Sequence, residues 1–213
     1  RFNPVNSIIM NNEKLVRQDI HASPRPRLVV GVSGASGAAY ALRLLEILRE
    51  GGAVESHLVV SSAGARTLGE ECGVTMEQVR TLADVAYRFE DIGAAIASGS
   101  FQTLGMVVIP CSVKSLAGIA ACYSDNLLLR AADVTLKERR TLILSFRETP
   151  LHAGHIRLMQ QVTEMGAVVA PPMPAFYSRP QSVQALVDQH VCRLLDLLKI
   201  PYPEKFIQRW KED

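Results

Sequence analysis

The chain has 213 residues, of which 48% are hydrophobic and 21% charged, and its net charge is +2. That length suits one domain with a sizeable core, since single cores grow to about 250 residues before splitting. The near-neutral balance gives no global field for nucleic acid or a membrane surface, and no apolar run approaches the ~18 residues of a membrane span.

Residues 1–26 differ in composition from the rest. They are polar, end in Ser23-Pro-Arg-Pro26, and set Arg1, Lys14, Arg17 and Arg25 against Glu13 and Asp19. The apolar centre of a secretory signal is missing, and the first residue is Arg rather than Met. The stretch reads as a leader, an interface arm or a vector-derived extension, and residues 27–213 as the domain proper. From Arg27 strands and helices alternate. Leu28–Val32 is a short β-branched strand, Ser36–Glu50 a helix stopped by Gly51-Gly52, and Val54–Ser61 a second strand. A helix to about Glu71 and another over Thr75–Ala83 follow. Gly105–Pro110 is a third strand, with helices at Lys114–Ala121 and Asn126–Arg139. Thr141–Phe146 is a strand, His155–Met165 a helix, Ala167–Ala170 a strand and Ser182–Lys199 a long amphipathic helix. Strands alternating with helices predict an α/β domain, a doubly wound parallel sheet in a Rossmann- or flavodoxin-like three-layer sandwich. Cys72, Cys111, Cys122 and Cys192 lack CxxC spacing, so reduced thiols in a cytosol-like compartment are expected rather than zinc or disulfides.

In such a sheet ligands bind beyond the carboxyl ends of the strands. The first of these ends is Gly31-Val-Ser-Gly-Ala-Ser-Gly37, whose small residues let backbone amides approach a phosphate at a helix N-terminus. Its glycines lack the GxGxxG spacing of dinucleotide sites. The second strand ends Val59-Val-Ser-Ser62, with no acidic residue to hold an adenosine ribose, which favours FMN over NAD or FAD. Pro110-Cys-Ser-Val-Lys-Ser115 is small and hydroxylated in the same way. Arg147-Glu148 follow the strand ending at Phe146 and offer a cation and a carboxylate. Arg130 and Lys137, seven residues apart, share nearly one helix face. The proline-rich loop 171–180 holds Tyr177 stiffly.

Taken together, Val32-Ser-Gly-Ala-Ser-Gly37, Ser98-Gly-Ser-Phe-Gln102, Gly105-Met-Val-Val-Ile-Pro-Cys-Ser112, Arg130-Ala-Ala-Asp-Val-Thr-Leu-Lys-Glu138, Arg147-Glu-Thr-Pro-Leu151 and Pro171-Pro-Met-Pro-Ala-Phe-Tyr177 resemble the UbiX family of flavin prenyltransferases. The resemblance spans Arg27 to about Trp210. It implies transfer of a dimethylallyl group from dimethylallyl phosphate to N5 and C6 of reduced FMN, without a metal, and delivery of the prenylated FMN to a UbiD-type decarboxylase. Matched to the family's motifs, Glu148 is the acid/base, with Ser36 and Glu71 beside it. Gly34, Ala35, Ser36, Ser61, Ser112, Val113, Lys114, Ser115 and Arg147 contact FMN. Arg130, Lys137, Tyr177 and Arg193 hold the donor phosphate, and Trp210 is an aromatic wall.

The resemblance further implies a homododecamer built of trimers, with sites completed by neighbouring chains. It implies a cytoplasmic enzyme, or a mitochondrial one if residues 1–26 follow a processed presequence. Two departures stand out: Leu151-His-Ala-Gly-His-Ile-Arg-Leu-Met159 lacks the family's usual Glu-Asn pair, and Ser62-Ala63 follows Ser61. His152 and His155 have i,i+3 spacing but no evident third ligand, so no metal is expected. Two alternatives fit the same fold: an FMN-dependent cysteine decarboxylase, whose Pro-x-Met-Asn-x-x-Met loop is missing here, and a non-catalytic FMN carrier.

Overall fold

The computed structural model describes residues 25–207 and 209. In chain order these form β1 (Arg27–Val32), α1 (Ala38–Gly51), β2 (Glu55–Val60), α2 (Ser62–Cys72), α3 (Met76–Thr81), β3 (Val85–Tyr87) and β4 (Gly105–Cys111). Then come α4 (Val113–Ala120), α5 (Leu127–Lys137), β5 (Thr141–Phe146), α6 (Ala153–Glu164), β6 (Val168–Val169) and α7 (Val183–Leu197). The described strands make one parallel sheet in the order β3-β2-β1-β4-β5-β6.

The strands are apolar on both sides because both sides are covered. Leu28, Val30, Val32, Leu58, Val107, Ile109 and Ile143 pack with α1 and α7 in one layer. Their neighbours Val29, Val59, Met106, Val108, Leu142, Leu144 and Phe146 pack with α4 and α5 in the other. Side chains alternate across a strand with period two, and each fully buried Leu or Val contributes roughly 1.5–3 kcal/mol. A one-residue slip in register would therefore exchange the two cores.

Strand order reverses between β1 and β4, which opens a crevice at their carboxyl ends. One residue joins the two ends. The buried Ser33 hydroxyl donates to the Pro110 carbonyl at 2.8 Å and accepts from the Ser112 amide at 2.8 Å.

The predicted sandwich is present, with differences at element ends. β3 is absent from the sequence reading because it is three residues long, with only Val85 β-branched. Its support is tertiary: Tyr87 Oη lies 2.9 Å from His57 Nδ1, and Asp84 accepts from the Ser56 amide at 2.8 Å. α1 starts at Ala38 rather than Ser36, because Gly37 adopts φ 110° and holds Ser36 in the turn. α6 starts earlier than expected, since His152 caps it by accepting from the Gly154 amide at 3.0 Å. The last strand shrinks to Val168–Val169. Residues 1–24 lie outside the described residues. Arg25 and Pro26 are already docked, with Arg25 donating to the Val54 carbonyl at 2.9 Å and the Glu55 amide donating to the Pro26 carbonyl at 2.9 Å.

Candidate functional site

The β1–α1 turn is built against α2. A Cβ added at Gly34 would lie 2.3 Å from the Ala63 Cβ, and one added at Gly64 would lie 2.7 Å from the Val32 carbonyl oxygen. Glycine at both positions lets the two turns touch. Glu71, at the far end of α2, then reaches the start of α1. Its Oε2 accepts from the Gly37 amide at 2.8 Å and the Ala38 amide at 2.9 Å, and the Ser36 hydroxyl bonds the same carboxylate. Burial would raise the Glu71 pKa, but these bonds and the nearby Arg147 charge outweigh it and hold the carboxyl below its ordinary value. Ser36 and Glu71 thus meet directly, and the Arg147 charge is near enough to act on the carboxylate. The anion at the α1 amino terminus is the chain's own Glu71, so any phosphate at this turn must use the amides ahead of Gly37.

Beside the turn lies a cavity of about 380 Å³, lined by Ser33, Gly34, Ser61, Ser112, Lys114 and Ser115 together with Phe89 and Asn126. Three helices begin on it. Ser61 caps α2 by accepting from the Gly64 amide at 3.0 Å, Ser112 caps α4 by accepting from the Ser115 amide at 3.3 Å, and Asn126 caps α5 by accepting from the Leu129 amide at 3.1 Å. Each helix directs its positive end inward, which favours an anion. Val113 is the first residue of α4 and packs its side chain on the core rather than into the cavity. Ser33, Phe89 and Asn126 were not singled out from the sequence. Ser33 and Asn126 carried usable signals, as a strand-end hydroxyl and an N-cap candidate, whereas Phe89 reaches the site only through the unrecognised β3.

Arg147 and Glu148 leave the end of β5 exposed. The Arg147 amide donates to the Cys111 carbonyl at 3.0 Å, which fixes the pair beside β4, and the Thr149 amide donates to Glu148 Oε1 at 2.9 Å. The four expected phosphate ligands do not gather around them. On α5, Arg130 Nη1 bonds Asp133 at 2.9 Å and Arg130 Nε reaches the Ala97 carbonyl at 3.3 Å, while Lys137 pairs with Glu138. A Cβ at Gly99 would lie 2.7 Å from Lys137 Nζ, so both cations flank the Ala97–Ser100 segment, as their shared helix face predicts. α5 runs back along the sheet, and its last residue, Lys137, sits at the amino end of β5, opposite Glu148. Arg193 is on α7, across the sheet from α5, where it bonds Asp196 at 2.8 Å. Tyr177 is near it: Gln189, one turn before Arg193, donates to Tyr177 Oη at 3.3 Å. Within one chain the set thus divides into an α5 pair and an α7 pair. Helix-face reasoning does not reveal this, because it carries no information on which side of the sheet each helix lies. Trp210 lies outside the described residues. His152 and His155 stack on each other, with ring centroids 3.7 Å apart.

A model of the Flavoprotein family matches residues 17–194. The flavin prenyltransferase UbiX of Escherichia coli K12 is 56% identical over 185 residues, which is 87% of this chain and 98% of that protein. The chain belongs to the UbiX flavin prenyltransferase family. UbiX of Thauera aromatica is 51% identical over 170 residues, 80% of this chain and 87% of its own. A solved UbiX structure, AnUbiX (PadA1) in complex with FMN and dimethylallyl pyrophosphate, aligns with TM-score 0.85 at 44% identity, covering 88% of this chain and 98% of that one. A dodecameric FMN-dependent UbiX-like decarboxylase from E. coli O157:H7 aligns with TM-score 0.84 at 45% identity, covering 87% and 99%. A PPC decarboxylase mutant complexed with pantothenoylaminoethenethiol shares 19% identity at TM-score 0.58, which is a likeness of fold alone.

Proposed function

We propose that this chain is a flavin prenyltransferase, transferring a dimethylallyl group from dimethylallyl phosphate to N5 and C6 of reduced FMN and releasing phosphate. The observation that carries this reading is the meeting of three helix amino termini on one cavity, next to a strand end bearing Arg147 and Glu148. The cavity fits FMN: it is lined by hydroxyls and amides, has Lys114 at its mouth, and is walled by Leu128 and Leu129. Gly34, Ala35, Ser36, Ser61, Ser112, Lys114 and Ser115 would hold the flavin, with Arg147 at its edge. Bound reduced FMN supplies the nucleophilic ring atoms.

The chain's own groups then have distinct tasks. Glu148, exposed beyond β5, takes up the ring proton and gives a proton to the departing phosphate. Ser36 is held by Glu71, whose low pKa keeps it an acceptor, so the serine proton is oriented rather than free to turn. Arg130, Lys137, Tyr177 and Arg193 meet the phosphate charge that a metal would otherwise neutralise. Because Lys137 closes α5 at the amino end of β5, away from Glu148 in the same chain, we infer that a second copy brings its α5 to the site of the first. The dodecamer of the E. coli relative supports such sharing, and Trp210 would close the site as an aromatic wall. No helix among the described residues is long and apolar enough to cross a membrane. With bacterial relatives, we place the enzyme in the cytoplasm; the mitochondrial alternative has no support among them. The recipient of the product is a UbiD-type decarboxylase. We read residues 27–213 as the catalytic domain and residues 1–26 as an appendage to it.

Anaerobic incubation with reduced FMN and either dimethylallyl phosphate or the pyrophosphate, followed by mass analysis of the flavin, tests this reading. A flavin heavier by one prenyl unit is expected. Unchanged flavin mass with both donors would leave an FMN carrier as the correct description.

A further inference from the structure

Arg193 does not stand alone on α7. Asp196, one turn on, accepts four hydrogen bonds, the full capacity of a carboxylate. Its Oδ2 accepts from Arg193 Nη1 at 2.8 Å and Arg209 Nη1 at 2.9 Å, and its Oδ1 accepts from Arg209 Nη2 and Tyr202 Oη, both at 2.9 Å. Burial acts to raise the Asp196 pKa, but the bonds from Arg209, Tyr202 and Arg193 outweigh it and hold the carboxyl below its ordinary value. Tyr202 and Arg209 belong to the segment that follows α7. This strap turns back over α1, where the Phe206 ring lies 4.7 Å from the Arg43 guanidinium and Lys205 pairs with Glu50.

The two arginines are held unequally. Arg209 grips Asp196 with a two-pronged bond, the stronger and more directional geometry. Arg193 holds it by one prong from a side chain 51% exposed. When Arg193 turns away, Asp196 keeps a guanidinium and a phenol, so no uncompensated carboxylate is left behind. Without Arg209, Arg193 becomes the guanidinium on which the charge of Asp196 depends, and leaving would strand that charge.

We propose that Asp196 and Arg209 are positioning residues for Arg193: the strap arginine satisfies Asp196 so that Arg193 is aimed by this carboxylate yet released to the donor phosphate. This rests on Arg193 being a phosphate ligand. The strap thereby ties donor capture to C-terminal docking, through one shared carboxylate rather than through contact with substrate.

The test is a rescue. Steady-state prenylation with varied dimethylallyl phosphate is measured for Arg209→Met, for the double variant Asp196→Asn/Arg209→Met, and for Arg193→Ala. Arg209→Met is expected to raise the donor KM about 5-fold, the upper range for a partly exposed ion pair, with kcat and FMN affinity little changed. The double variant is expected to recover part of the KM loss, because Arg193 is no longer trapped, but not all of it, because the carboxylate that aims Arg193 is gone. If the strap merely stabilises the fold, the double variant will be no better than the single one, and the proposal falls. A wild-type KM in Arg209→Met also overturns it. If Arg193→Ala leaves the donor KM unchanged, the error lies instead in assigning Arg193 to the phosphate.

Discussion

The Glu71 carboxylate caps the helix that begins after Gly37, accepting the Gly37 amide at 2.8 Å. It fills a position that a bound anion would otherwise take, and it holds the Ser36 hydroxyl in the same contact. With its folded pKa lowered, Glu71 contributes stability above the ordinary glutamate range, and that contribution is lost as the pH falls through the folded value. The loss is expected below about pH 4. Glu71→Gln keeps an acceptor oxygen but does not titrate. Its chemical-denaturation midpoints should fall less steeply on the acid side than those of wild type. Parallel acid limbs would show that Glu71 is not the titrating cap.

Lys137 and Glu148 sit at opposite ends of β5, about 20 Å of strand apart for six residues. Lys137→Ala and Glu148→Gln should each be poorly active, the first by about 100-fold in kcat/KM for the donor. Assemblies formed by refolding the two variants together should regain activity, because each chain supplies what the other lacks. Mixtures no more active than the separate variants would place the whole site within one chain.

Glu148→Gln alone separates proton transfer from flavin binding. It preserves shape and can still accept the Thr149 amide, so FMN content should match wild type. Turnover should fall by roughly 10²–10⁴-fold. Wild-type rates across pH 6–9 would make Glu148 a structural partner only.

His190 gives a second, separate pH signature. It is on the buried face of α7 beside Ser145, whose Oγ lies 2.9 Å from His190 Nε2, and burial pushes its pKa down to about 4. The unfolded chain binds this proton near pH 6.5 and the folded chain only near 4, so stability falls as the pH drops through that window. The total is on the order of 3 kcal/mol. His190→Gln should flatten denaturation midpoints between pH 6.5 and 4 while leaving the Glu71 limb below it. An unchanged slope in the variant would mean that His190 titrates normally.

The strands with β-branched runs and the helix stopped by Gly51-Gly52 were legible because each signal is local. So were the hydroxyls Ser61 and Ser112, strand-end residues that line one cavity, whereas Ser36 in the first turn bonds Glu71 instead. Glu71 was placed near the site only by resemblance, and its bond to α1 was not legible, because 34 residues separate it from Gly37. β3 was missed since tertiary bonds to His57 and Ser56 sustain it. The division of the cations followed from which side of the sheet α5 and α7 occupy, and neither helix pattern encodes that. Nothing local in the sequence singles out Asp196, because its partner Arg209 lies beyond the helix.

The contact between the two turns has an evolutionary meaning. With Gly34 pressed on Ala63, neither position has a methyl group of slack, so the pair behaves as one unit under mutation. Gly34→Ala alone should be rejected, whereas Ala63→Gly beside it removes the 2.3 Å clash and leaves only backbone contacts at 3.1 and 3.2 Å. Across diverging sequences these two positions are expected to drift in concert, with the volume of one traded against the other.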